Sequence, residues 1–126
     1  MAKTDKDFNS LNVRGPSRFE SVHLEKGTVT QGTNISTAVT LNKPAGVITT
    51  VSSTLAANTN ASFTVNNSAV SADSVVLGNI VNYSGSQGAP FARVQNVTQG
   101  SFAVSLRNAD DVNALNGVVK FAFSVL

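Results

Sequence analysis

The chain predicts an all-β fold: an antiparallel β-sandwich, jelly-roll-like, of about eight strands, behind an extended N-terminal arm. Three observations lead there. Apolar and polar residues alternate with the two-residue period of strands that face a core on one side and solvent on the other. Turn-forming Gly, Pro and Asn-Gly pairs punctuate that pattern at the spacing of a sandwich, and no run of about twelve residues carries a helical stripe. Charge is also divided unevenly. Nine of the sixteen charged residues lie in the first 26 positions, leaving Lys43, Asp73, Arg93, Arg107, Asp110, Asp111 and Lys120 for the rest. Ser, Thr, Asn and Val stand where an ordinary domain carries Lys and Glu.

Two parts follow, an arm over residues 1–18 and a β-domain over 19–126. In the arm, Phe8, Leu11 and Val13 occur singly among polar neighbours before Gly15-Pro16, and no period is sustained. The first strands are expected at Phe19–Leu24 and Thr28–Thr30, bracketing a turn at Lys26-Gly27, and the next at Thr37–Leu41. Pro44-Ala45-Gly46 reads as a turn before a β-branched strand over Val47–Ser52. Ser62–Asn66 alternates cleanly and Asn67 suits a turn. Val75–Tyr83 is a longer apolar strand in which Gly78 marks a bulge or a close backbone approach. After the Gly85–Pro90 loop, Phe91–Thr98 and Ser101–Arg107 form a hairpin around Gln99-Gly100. Asn108–Asn113 is a polar loop, Asn116-Gly117 a turn, and Val119–Val125 the closing strand. The expected core is Val39, Leu41, Phe63, Val65, Leu77, Phe102, Val104, Leu106, Phe121 and Phe123. At 126 residues the chain is long enough to bury it without metal or disulfide staples.

The residues offer little chemistry. Cysteine is absent, which removes disulfides, thiolate nucleophiles and Cys-based zinc sites. His23, the single histidine, reads as a strand residue, since triads and metal sites need partners. Adjacent Asp110 and Asp111 would point apart in an extended chain, unlike the facing carboxylates of a glycosidase. Asn108, Asp110, Asp111 and Asn113 gather oxygen atoms in one loop as calcium requires, yet Asn and Asp favour turns for local reasons alone. The Gly85–Gly88 loop lacks a phosphate-binding pattern. The Asn-X-Ser/Thr triplets, such as Asn82-Tyr83-Ser84, follow from composition. Tyr83 is the one evident aromatic for sugar binding. The expectation is a non-enzyme with no cofactor and no metal. The net charge of +2 rests on scattered basic residues without Trp, so no nucleic-acid partner is expected. No apolar run follows Met1, and no segment nears a membrane span, so synthesis in a cytoplasm and no membrane partner are expected.

The segments Gly27–Gln31, Thr37–Leu41, Pro44–Thr50, Phe63–Asn67, Asn82–Gly85, Gly100–Leu106 and Leu115–Gly117 together resemble a small β-domain. That domain recurs among virion structural proteins of tailed bacteriophages, head-associated and fibre-associated. The resemblance spans residues 27–126 and implies a non-enzymatic virion protein. The expected function is capsid decoration (cement) on the head surface. The domain would assemble with itself, most plausibly as a homotrimer through outward residues such as Ala122 and Val76. The arm would clamp major capsid protein subunits through Phe8, Leu11, Val13, Arg14, Arg18 and Phe19. The alternative is a tail, fibre or knob component that touches a host surface or another appendage protein. A free-standing carbohydrate-binding module is disfavoured by the lack of Trp.

Overall fold

The computed structural model describes residues 24–126, so the arm, Phe19 and His23 lie outside the described residues. Eight strands follow in order: β1 (Lys26–Thr30), β2 (Val39–Thr40), β3 (Ala45–Thr49), β4 (Asn60–Asn66), β5 (Val76–Tyr83), β6 (Pro90–Thr98), β7 (Ser101–Asn108) and β8 (Val119–Val125). They make two four-stranded sheets, ordered β1-β3-β8-β5 and β2-β4-β7-β6, packed as a sandwich. The fold is all-β, and no helix forms among the described residues.

The chain changes sheet at every connection except the β6–β7 hairpin. A strand that crosses to the other sheet and returns regains its first direction. β1 therefore pairs with β3 in parallel, as β2 does with β4, while the other ladders are antiparallel. This refines the expectation of antiparallel pairing throughout.

Glycines expected in turns serve packing instead. Lys26-Gly27 lies inside β1, and Ala45-Gly46 opens β3, with Gly27 opposite Gly46. A Cβ on Gly46 would stand 2.7 Å from the Gly27 carbonyl oxygen and 2.7 Å from Leu41 Cδ2. Two bare backbones are thus needed beneath the Leu41 side chain. Gly117 is likewise no hairpin turn: it bridges to Ser53, and its Cβ would fall 2.2 Å from the Gly85 nitrogen. Gly100 does turn the β6–β7 hairpin, at φ +86°.

Nine of the ten expected core residues are buried. The Phe102 and Phe123 rings meet across the sheets at 5.3 Å and 60°, the tilted geometry that aromatic quadrupoles favour. Leu77 is the exception, 54% exposed. Both faces of β5 are apolar, with Leu77, Val81 and Tyr83 on one parity and Val76 and Ile80 on the other. Gly78 settles the choice. A Cβ there would lie 2.2 Å from Phe121 Cζ, so the Phe121 ring occupies the space a side chain would need. The even parity therefore faces the core, Val76 packs inward, and Leu77 turns to solvent. A register shift between Ile80 and Asn82 then reverses the parity and brings Tyr83 against a second cluster of Leu106, Leu115 and Val119.

Buried amides hold the loops. Asn108 is 0% exposed and uses its full capacity. Its Nδ2 donates to the Leu55 and Asn113 carbonyls at 3.0 and 2.8 Å, while Oδ1 accepts from the Ala89 and Asp110 N–H groups, both at 3.1 Å. Gln31, also buried, donates from Nε2 to the Ile35 and Thr37 carbonyls. These bonds offset the cost of burying the amides and the loop backbone together.

Two outcomes follow. Gly78→Ala, which drives a methyl into Phe121, lowers unfolding free energy in a urea titration by about 1–3 kcal/mol, and adding Phe121→Leu recovers part of the loss. Asn108→Asp keeps the shape but sets a carboxylate against two carbonyls. It destabilises by about 2–4 kcal/mol at neutral pH, less in acid where the carboxyl regains a proton to donate.

Candidate functional site

Among the described residues no cluster of metal-ligating side chains forms, and hollows open on the outer faces of both sheets. On the β1-β3-β8-β5 sheet, ladder register sets three outward rows: Lys26, Ala45, Ser124 and Leu77, then Thr28, Val47, Ala122 and Asn79, then Thr30, Thr49, Lys120 and Asn82. Most of these side chains are small and uncharged, the exceptions being Lys26, Lys120 and Leu77. Two shallow hollows of about 330 and 350 Å³ lie along these rows and share Ala122 and Phe123 in their walls. Ala122 thus lies on the outer face as expected from sequence, whereas Val76, expected beside it, packs into the core.

The β2-β4-β7-β6 sheet presents a different surface. Asn60, Arg107 and Phe91 form one outward row, and Ser62, Ser105 and Arg93 the next. Asn60, Phe91, Arg93, Ser105 and Arg107 line a concavity of about 290 Å³. Phe91 is 63% exposed, a large apolar side chain left at the surface, while Ser105 forms the floor at 8%. The Arg107 guanidinium is propped by amide oxygens, donating from Nη1 to Asn60 Oδ1 at 2.9 Å and from Nη2 to Asn58 Oδ1 at 3.4 Å. Asn58 is steadied in turn by donating to Asp111 Oδ1 at 2.9 Å. Among the described residues the one ion pair is Lys43–Glu25, at 2.9 Å, so neither arginine meets a carboxylate there.

Sequence reasoning missed this concavity. Period-two spacing places Phe91 and Arg93 on one face, but a plain two-residue hairpin at Gln99-Gly100 sets Arg93 opposite Leu106, a core residue. The register shift between Gln95 and Thr98, with Asn96 at φ 56°, moves the pairing by one residue and sets Arg93 opposite Ser105. Tyr83, the one evident aromatic candidate for sugar binding, is taken up otherwise. Its hydroxyl donates to the Gln87 carbonyl and accepts from the Asn116 N–H, with the ring against the second core cluster.

The six arm residues Phe8, Leu11, Val13, Arg14, Arg18 and Phe19 lie outside the described residues. In the polar loop, Asp110 Oδ1 accepts from the Val112 and Asn113 N–H groups at 2.8 and 2.9 Å. Asp111 accepts from Asn58 and Asn108 is saturated, so these oxygens serve the loop's own geometry. The Asn113 and Val112 N–H groups hold the Asp110 carboxyl below its ordinary value.

Comparison with known protein families, characterised proteins and solved structures gives no match to the chain.

A carboxyl whose folded value is lowered adds stability above its unfolded value of about 3.9, and that stability fades as pH falls through the folded value. Asp110→Asn keeps an acceptor oxygen at the same place. Its thermal midpoint therefore falls less steeply than that of the parent between about pH 4 and pH 2, read from circular dichroism melts.

Proposed function

We propose that this chain is a non-catalytic structural protein of a phage virion, a capsid decoration protein that oligomerises on the head and grips major capsid subunits through residues 1–18. The observation that carries the reading is the outer face of the β1-β3-β8-β5 sheet. Ala45, Val47, Ala122 and Ser124 leave its middle low and uncharged, with Lys26 and Lys120 in the flanking rows and Leu77 exposed at its side. Short side chains let two such faces approach closely, and few charges mean little desolvation cost when they do. A homotrimer built this way would present three arms at once, so weak contacts from each would add up. Binding only the assembled shell would shift the equilibrium toward assembly. The scarcity of acid–base groups in the body agrees with a protein that performs no reaction.

A second reading, a tail, fibre or knob component, draws on the Phe91–Arg93–Arg107 concavity, which has the exposed aromatic and cationic character of a contact site.

Stained gels of purified particles separate these readings, since decoration requires copies in the hundreds and an appendage only a few. For the decoration reading, light scattering gives an oligomer for the parent chain and a folded monomer for Ala122→Glu. A chain lacking residues 1–18 loses about tenfold or more of its affinity for undecorated shells. Full-strength binding by the truncated chain rules out the arm as the clamp.

A further inference from the structure

The concavity on the β2-β4-β7-β6 sheet has a composition that nothing else on the described surface shares. The body contains two arginines, and both open onto this one hollow from neighbouring strands. Arg93 pairs with Ser105 and Arg107 with Phe91, which makes the guanidinium groups diagonal neighbours on one face. Like charges so placed repel, and no described carboxylate pairs directly with either; Asp111 reaches Arg107 only through Asn58. Arg107 is nevertheless held in a set orientation by Asn60 and Asn58, neutral groups that fix its geometry without cancelling its charge. A guanidinium fork held this way is preorganised to take a carboxylate through two parallel hydrogen bonds.

The remaining wall narrows the ligand further. Phe91 gives the hollow a flat apolar face at 63% exposure, and its electron-rich ring attracts the slightly positive C–H groups of a saturated ring laid against it. Asn60 and Ser105 supply an amide and a hydroxyl beside the cations, suited to sugar hydroxyl groups. A volume of about 290 Å³ suits one six-membered sugar ring and its substituents. An acidic peptide is the poorer match. Paired arginines also serve acidic-peptide recognition, but the flat exposed Phe91 ring and a hollow the size of one sugar ring fit a saccharide more closely.

We propose that the Phe91–Arg93–Arg107 concavity is a binding site for an acidic saccharide, with the arginines on the sugar carboxylate and Phe91 under the ring. It lies on the sheet opposite the one that carries the decoration reading, so either can fail while the other stands.

The experiment is a titration of the full ¹⁵N-labelled chain, followed by amide shifts, with three probes: trigalacturonic acid, its methyl ester, and hexaglutamate. The acid shifts the amides of Asn60, Phe91, Arg93, Ser105 and Arg107 while those of Val47 and Ala122 stay in place. The ester, equal in shape but uncharged, binds about tenfold or more weakly, as do Arg93→Gln and Arg107→Gln with the acid. Melting curves establish that both variants fold, and the acid-to-ester ratio on the parent chain decides the matter if either does not. Absence of shifts at millimolar trigalacturonic acid, equal binding of acid and ester, or equal binding of hexaglutamate at the same residues overturns the proposal.

Discussion

The Phe121 ring beneath Gly78 is the contact on which the rest of the sandwich depends. β8 lies between β3 and β5 in its sheet, and its inward residues Val119, Phe121, Phe123 and Val125 supply the largest share of that sheet's inner face. Phe123 reaches across to Phe102 on β7, the strand that joins β4 to β6 in the other sheet. Phe121 reaches sideways into the space left by the missing Gly78 side chain and so fixes which face of β5 turns inward. Because side chains alternate strictly along a strand, that single choice decides the orientation of Val76, Leu77 and Ile80 together. A larger residue at 78 would ask all of them to shift.

The same economy governs the far side of the sheet. Gly27 and Gly46 stand opposite one another beneath Leu41, so β1 and β3 pair in parallel with almost no side-chain volume between sheet and loop. Parallel pairing here follows from the path of the chain, which crosses between sheets at nearly every connection. Loops that bridge sheets must carry buried backbone, and the buried amides of Asn108 and Gln31 bond it where water cannot reach. Asn, so abundant in this sequence, is in these places a structural residue.

How much of this was legible in the sequence depended on local ambiguity. β4, β7 and β8 read correctly because each has one apolar parity and one polar: Phe63 and Val65, Phe102 to Leu106, Phe121 and Phe123. In β5 both parities are apolar, and the deciding object, a ring from β8, is distant in sequence. Gly27, Gly46 and Gly117 read as turns because glycine serves turning and close packing equally well, and only tertiary contacts separate the two uses. Parallel pairing left no local trace at all. The concavity was half legible: Phe91 and Arg93 share a face by simple spacing, but their meeting with Arg107 rests on a register shift at Asn96. Asn accepts a left-handed backbone more readily than most residues, a weak signal among so many asparagines.

The scarcity of charge gives the placement of the few remaining charges more weight. On a surface crowded with Lys and Glu, two neighbouring arginines would be screened and paired by chance. Here the described residues hold one ion pair, and both arginines of the body converge on the same hollow beside an exposed phenylalanine. The two faces of the sandwich have therefore diverged in kind. One is small-chained across its middle, with Lys26 and Lys120 among its outward residues. The other concentrates the body's arginines around an apolar wall, where an uncharged partner surface would bury cations that meet no carboxylate among the described residues, at a cost of several kcal/mol. On the proposed readings, self-association would use the β1-β3-β8-β5 face and the opposite face would take a ligand that brings negative charge.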